Sequence, residues 1–167
     1  MKWNYPLLFL SILSTFACRN NSNTSDCRYG KPTAIFAANQ PGIQSHTFTE
    51  RGNEATEQVI FSDSLQLTLL QSGCNQIRQE FQFNLPGNFQ DKTPDFWIEL
   101  SIQLMQRLGS IGPDYGGFTM WAQTMVEQRK NIKLTEPVAL QQGFYITIDR
   151  ILSTENATLV LILSDQP

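Results

Sequence analysis

The chain has 167 residues, with 12 basic against 15 acidic side chains, a formal charge of −3 at pH 7 and a single histidine. That balance supplies no basic stripe for nucleic acid, and any histidine-based triad would have to use His46. Beyond its first two dozen residues the chain suits one domain around one core, with no heptads, internal repeats or low-complexity domain.

Residues 1–17 read as an export signal. Lys2 gives a short positive region, and Leu7, Leu8, Phe9, Leu10, Ile12 and Leu13 form an apolar run too short to span a bilayer as a mature helix. The run ends in Ser14-Thr15-Phe16-Ala17-Cys18, and a small residue before a cysteine resembles the lipobox of bacterial lipoproteins. Thr15 stands where leucine is usual, so the resemblance is to the relaxed form of some Gram-negative lineages, and it covers only the first 18 residues. It implies cleavage before Cys18, lipid on the Cys18 thiol, and attachment to a membrane through that lipid. Arg19, rather than aspartate, after the lipidated cysteine implies the outer membrane. The absence of an acidic cluster there favours the periplasmic face. The competing reading is an ordinary secretory signal with an incidental cysteine.

Three cysteines are present, Cys18, Cys27 and Cys74. If Cys18 carries lipid, Cys27 and Cys74 are left to form one disulfide in an oxidising compartment. The 48-residue loop that pairing closes is worth on the order of 4 kcal/mol by the chain-entropy model. A zinc site is the other use of cysteines, but there is no Cys-x-x-Cys and no second histidine, so no metal or cofactor is expected. Residues 18–26 carry no apolar side chain after Cys18 and read as a flexible tether. The domain is expected over residues 27–167.

Thr33 to Ala38, after Gly30-Lys31-Pro32, is predicted as a first strand. Gln40-Pro41-Gly42 turns the chain, Ile43 to Glu50 is predicted extended, and Arg51-Gly52-Asn53 turns again. Glu57 to Phe61 alternates with Val59 and Phe61 on one face. The clearest pattern follows. Leu65, Leu67 and Leu69 alternate with Gln66 and Thr68, then Ile77, Phe81, Phe83 and Leu85 alternate with Arg78, Glu80, Gln82 and Asn84, around a Ser-Gly turn that holds Cys74. Period-two alternation buries one face of each strand, so the first half reads as an antiparallel meander.

After Pro86-Gly87-Asn88 the period changes. Thr93-Pro94-Asp95 is a helix start: a capping hydroxyl, proline in the first turn, then an acid for the helix dipole. Trp97, Leu100, Leu104, Met105 and Leu108 recur at helical spacing, with Gly109 as the predicted stop. Phe118, Trp121, Ala122, Met125 and Val126 form a second stripe, with Gly116-Gly117 loosening its start. Strands are predicted again at Val138 to Leu140, around Phe144, Ile146 and Ile148, and over Ala157 to Leu163, whose unbroken apolar run suggests an inner strand covered on both faces. Strands, then two helices, then strands predict an α+β fold: an antiparallel sheet with two amphipathic helices packed on one face.

The motifs of catalysis are missing: no phosphate-binding glycine loop, no His-Glu-x-x-His and no Gly-x-Ser-x-Gly. His46 reads as an ordinary strand residue, whose replacement by alanine should matter little. Asp95 and Glu99, one turn apart, are suited to acid–base work or a cation, though acids near a helix start more often complement its dipole. The segment Ile111 to Phe118 is the least ordinary one. Asp114, Tyr115 and Phe118 are candidates for contact with a partner or glycan; a tight interhelical turn with the aromatics tucked inward is the plainer alternative. Trp97, Trp121, Met105, Met120 and Met125 read as core, or as the lining of an apolar ligand pocket. The expectation is therefore a lipid-anchored cell-envelope protein without enzymatic activity, whose domain binds an envelope protein or a glycan. The alternatives are a carrier or chaperone with an apolar cavity, and an enzyme that uses carboxylates or His46.

Overall fold

A computed structural model describes residues 28–140 and 143–167. The meander of the first half is β1 (Ile43–Arg51), β2 (Glu54–Phe61), β3 (Gln66–Ser72) and β4 (Arg78–Pro86). Two helices follow, α1 (Pro94–Gly109) and α2 (Gly116–Gln128), joined through one 3-10 turn over Pro113–Tyr115. The chain then returns as β5 (Val138–Ala139), β6 (Tyr145–Leu152) and β7 (Asn156–Ser164). The seven strands form one antiparallel sheet in the order β1-β2-β3-β4-β7-β6-β5, so the predicted α+β architecture is the observed one.

The order follows from the apolar pattern. The chain leaves the sheet at β4, crosses one face as two helices, re-enters at the far edge and works inward. β7, the most apolar strand, thereby lands between β4 and β6, with Phe81 opposite Leu161 and Ile148 opposite Leu161 on its other side. Leu159, Leu161 and Leu163 are buried beneath the helices together with Leu67, Leu69, Phe81, Phe83, Ile146 and Ile148. The expectation that both faces of β7 are covered holds only in part. Val160 is buried, but Thr158, Ile162 and Ser164 on the outer face are half-buried among neighbouring strands' side chains.

The helix start is as predicted. The Thr93 hydroxyl accepts a hydrogen bond from the Phe96 N–H at 3.4 Å, Pro94 opens the first turn and Asp95 follows. At the other end Gly109 is still helical, and Ser110 is the cap, donating its N–H to the Gln106 and Arg107 carbonyls. Gly109 serves a different purpose from the predicted stop. A Cβ placed on it would lie 2.8 Å from the Thr119 backbone nitrogen and closer still to the Thr119 hydroxyl. Gly109 is therefore where α1 and α2 approach backbone to backbone.

The main departure is at the start of the domain. Thr33 to Ala38 is not a strand; residues 28–38 form an irregular strap. It crosses the inner face of the sheet instead of extending its edge, so its backbone groups need partners other than a ladder. The Tyr29 N–H donates to the Cys74 carbonyl at 2.9 Å and the Gln71 side chain donates to the Thr33 carbonyl at 3.1 Å. At Gly73 the fit is close, since a Cβ there would meet the Gly30 carbonyl oxygen at 3.0 Å.

Candidate functional site

The strap is held by a buried carboxylate. Glu57 lies in β2 with the same parity as Ala55, Val59 and Phe61, so its side chain points inward and has no solvent exposure. Its two oxygens accept from the Ile35 N–H at 2.9 Å and the Phe36 N–H at 2.8 Å. His46 faces Val59 across β1, one step diagonally from Glu57, and its Nε2 lies 2.7 Å from Glu57 Oε1. In the tautomer with its proton on Nε2, His46 donates to this oxygen. A buried carboxylate persists only when paired and hydrogen-bonded, and three donors meet that condition here.

His46 is therefore not the plain strand residue expected of it. Its side chain is 10% exposed and belongs to the clamp on Glu57. Glu57 itself carries a signal in the sequence. An alternation that turns Val59 and Phe61 inward turns Glu57 inward too, and an inward acid requires a partner.

Beside this clamp, Phe36 of the strap stacks on Tyr115 (centroids 5.6 Å apart, planes 17°) and on Phe118 (6.1 Å, 5°), and meets Phe61 edge-on at 6.2 Å. Phe118 in turn meets Phe81 of β4 edge-on at 5.6 Å. The Ala37 N–H donates to the Tyr115 hydroxyl at 3.2 Å, and the Gln40 side chain donates to the Ile111 carbonyl at 2.9 Å. Of the three candidate loop residues, Tyr115 and Phe118 are thus core residues, and Asp114 is exposed. The loop still borders an opening. A depression of about 220 Å³ lies between strap, β4 and α2, lined by Ile35, Gln79, Asp114, Tyr115, Phe118 and Trp121. Trp121 is half-buried and edge-on to Phe118 at 5.9 Å.

The other candidates separate. Trp97, Met105 and Met125 are fully buried in the core, whereas Met120 is 55% exposed, so the five residues do not line a common cavity. Asp95 is exposed in the first turn of α1, while Glu99 forms an ion pair with Arg129 at 3.1 Å that ties α1 to the end of α2. Among the described residues no three metal-ligating side chains gather. Cys74 is buried at the β3–β4 turn with φ of 109°, a region that L-residues seldom occupy. Cys18 and Cys27, and with them the lipidation and disulfide expectations, lie outside the described residues.

Comparison with known proteins gives no match: no family model, no curated protein and no solved structure.

Proposed function

We propose that this chain is a lipid-anchored bacterial envelope protein, held through Cys18 at the periplasmic face of the outer membrane, and that its domain is a binding module without catalytic activity. The observation that carries the binding reading is the depression beside Asp114 and Trp121, where polar and aromatic groups meet at an opening. The groups an enzyme would draw on have other work. His46 is committed to Glu57, Glu57 has no access to solvent, and Glu99 is paired with Arg129. The carrier reading is weakened because Trp97, Met105 and Met125, which would line its cavity, fill the core.

The tether reading gains from the position of Tyr29, whose N–H binds the Cys74 carbonyl two residues after Cys27. A Cys27–Cys74 bridge would fix the tether's origin on the domain beside the β3–β4 turn. Mass spectrometry of the amino-terminal peptide tests the anchor: diacylglycerol on Cys18 is expected, and an unmodified Cys18 or cleavage elsewhere would remove it. Cys74→Ala is expected to cost about 2–5 kcal/mol, the range for a native bridge in a small exported domain; an unchanged denaturation midpoint would refute the pairing.

A further inference from the structure

We propose that the depression between strap and α2 is a subsite for an uncharged sugar ring, so that the ligand of this binding module is a glycan; the inference rests on the binding reading above. Size comes first. About 220 Å³ lies below the roughly 300–1,000 Å³ that encloses a drug-sized ligand, and an open saucer of that volume suits one ring of a longer chain, not an engulfed lipid. Chemistry comes next. One wall is apolar and aromatic, with Trp121 half-open to solvent and braced edge-on by Phe118. An indole face packs against the C–H face of a pyranose while its N–H remains free for a hydroxyl.

The polar groups fit the other side of such a ring. The Asp114 carboxylate offers acceptors, and the Gln79 amide offers a donor and an acceptor. Neither side chain has a hydrogen-bond or ion-pair partner among the described residues. Gln79 is unusual in its own right: it lies on the inner face of β4, opposite Leu163, where its neighbours Phe81 and Phe83 are apolar core. No lysine, arginine or histidine lines the opening, so a phosphate or carboxylate ligand would meet Asp114 without a countercharge. Gln79 also lines an adjoining depression of about 170 Å³ bordered by Tyr29, Lys31, Thr33, Gln71 and Ser72, a place for a second ring; the Lys31 charge there is paired with Glu50 at 3.0 Å.

Trp121 supplies the readout in the processed chain, because Trp97 is sealed in the core and Trp3 would leave with the signal. The processed chain, from Cys18 onward, is titrated in detergent with cellobiose, maltose and N,N′-diacetylchitobiose while tryptophan emission is followed. A saturable change with at least one disaccharide is expected. Asp114→Ala and Gln79→Ala are each expected to weaken it at least about tenfold, the scale of a lost hydrogen bond in a charged site, at an unchanged melting temperature. Trp121→Phe keeps a ring on the wall, so calorimetry should still detect binding after the emission change has gone. No saturable response up to the solubility limits of all three sugars overturns the proposal. So does equal affinity in both alanine variants, or displacement of the sugar by inorganic phosphate. The amino-terminal mass of the same preparation reports the anchor separately, so a missing sugar response and a missing lipid are distinct failures.

Discussion

The inner face of the sheet is covered in two ways. Over β4, β7 and β6 it is roofed by helices, and the contact is apolar: Phe118 on Phe81, with Trp97, Met105 and Met125 sealed above the leucines of β7. Over β1 and β2 it is roofed by the strap, which is held largely by hydrogen bonds: Glu57 of β2 on the Ile35 and Phe36 amides, Gln71 of β3 on the Thr33 carbonyl, and Tyr115 of the interhelical turn on the Ala37 amide. A helix satisfies its own backbone and needs only an apolar stripe to dock. An irregular segment brings unsatisfied amides into the core, and each requires an acceptor already waiting there. The difference puts the stability of the strap on a few polar side chains, whereas the helical roof spreads its stability over many methylene groups.

Glu57→Ala is the severest test of that contrast. It removes the acceptor of two buried amides and the partner of His46 at once, and should cost about 3–5 kcal/mol, since each buried donor left without an acceptor costs about 1–3 kcal/mol. Amide exchange at Ile35 and Phe36 should rise more than exchange in α1 or β7. Chemical denaturation together with hydrogen exchange checks both; a loss under 1 kcal/mol on the order of an ordinary surface change would show that apolar contacts hold the strap after all. On the helical side the matching change is Gly109→Ala. Alanine is the better helix former by about 1 kcal/mol, but its methyl would press on the Thr119 backbone, and overpacking at such a contact costs about 1–3 kcal/mol. A net loss in melting temperature, with strap exchange unchanged, would confirm that the two roofs are separable. A net gain would mean that α1 and α2 have room to shift.

His46→Ala sits between these. It leaves Glu57 with its two amide donors but without the imidazole, and is expected to cost about 1–3 kcal/mol, the penalty of under-satisfying a buried polar group. A double-mutant cycle with Glu57→Gln checks the origin of that cost. Coupling near zero would return His46 to the status of an unremarkable strand residue.

The same contrast explains what could be read in the sequence. Alternation in Leu65–Leu69 and Phe81–Leu85, and the stripe from Trp97 to Leu108, yielded β3, β4 and α1 because each element buries a periodic set of apolar residues. The apolar residues Ile35 and Phe36 looked like a strand by the same logic. What makes them a strap is Glu57, more than twenty positions away, and local periodicity cannot see a partner at that distance. Asp114 stands out in the sequence by its place in an aromatic, glycine-rich loop. Gln79 and Ile35 do not, because their share in the opening arises only when strap, β4 and α2 meet.

The smallest effect expected is at the rim, where a salt bridge joins α1 to the sheet on the surface. Arg107 Nη2 lies 2.5 Å from Asp63 Oδ1 in the β2–β3 turn, and its guanidinium stands over the Phe61 ring at 5.2 Å. The hydrogen bond from Arg107, with smaller help from the Leu65 amide and against a slight burial penalty, holds the Asp63 carboxyl below its ordinary value of 3.8. A carboxyl whose folded value is depressed adds stability above its unfolded value and loses it as pH falls through the folded one. The contribution is therefore present from about pH 4 upward and disappears in more acidic solution. Solvent screens so exposed a pair, so the gain is a small fraction of the clamp at Glu57. Carbon-detected NMR titration should place the Asp63 midpoint below 3.8, and Arg107→Gln should return it toward that value. A midpoint at or above 3.8 in the unaltered chain would mean that the bridge is not held in solution, leaving that corner to the apolar packing of α1 and the Arg107 contact with Phe61.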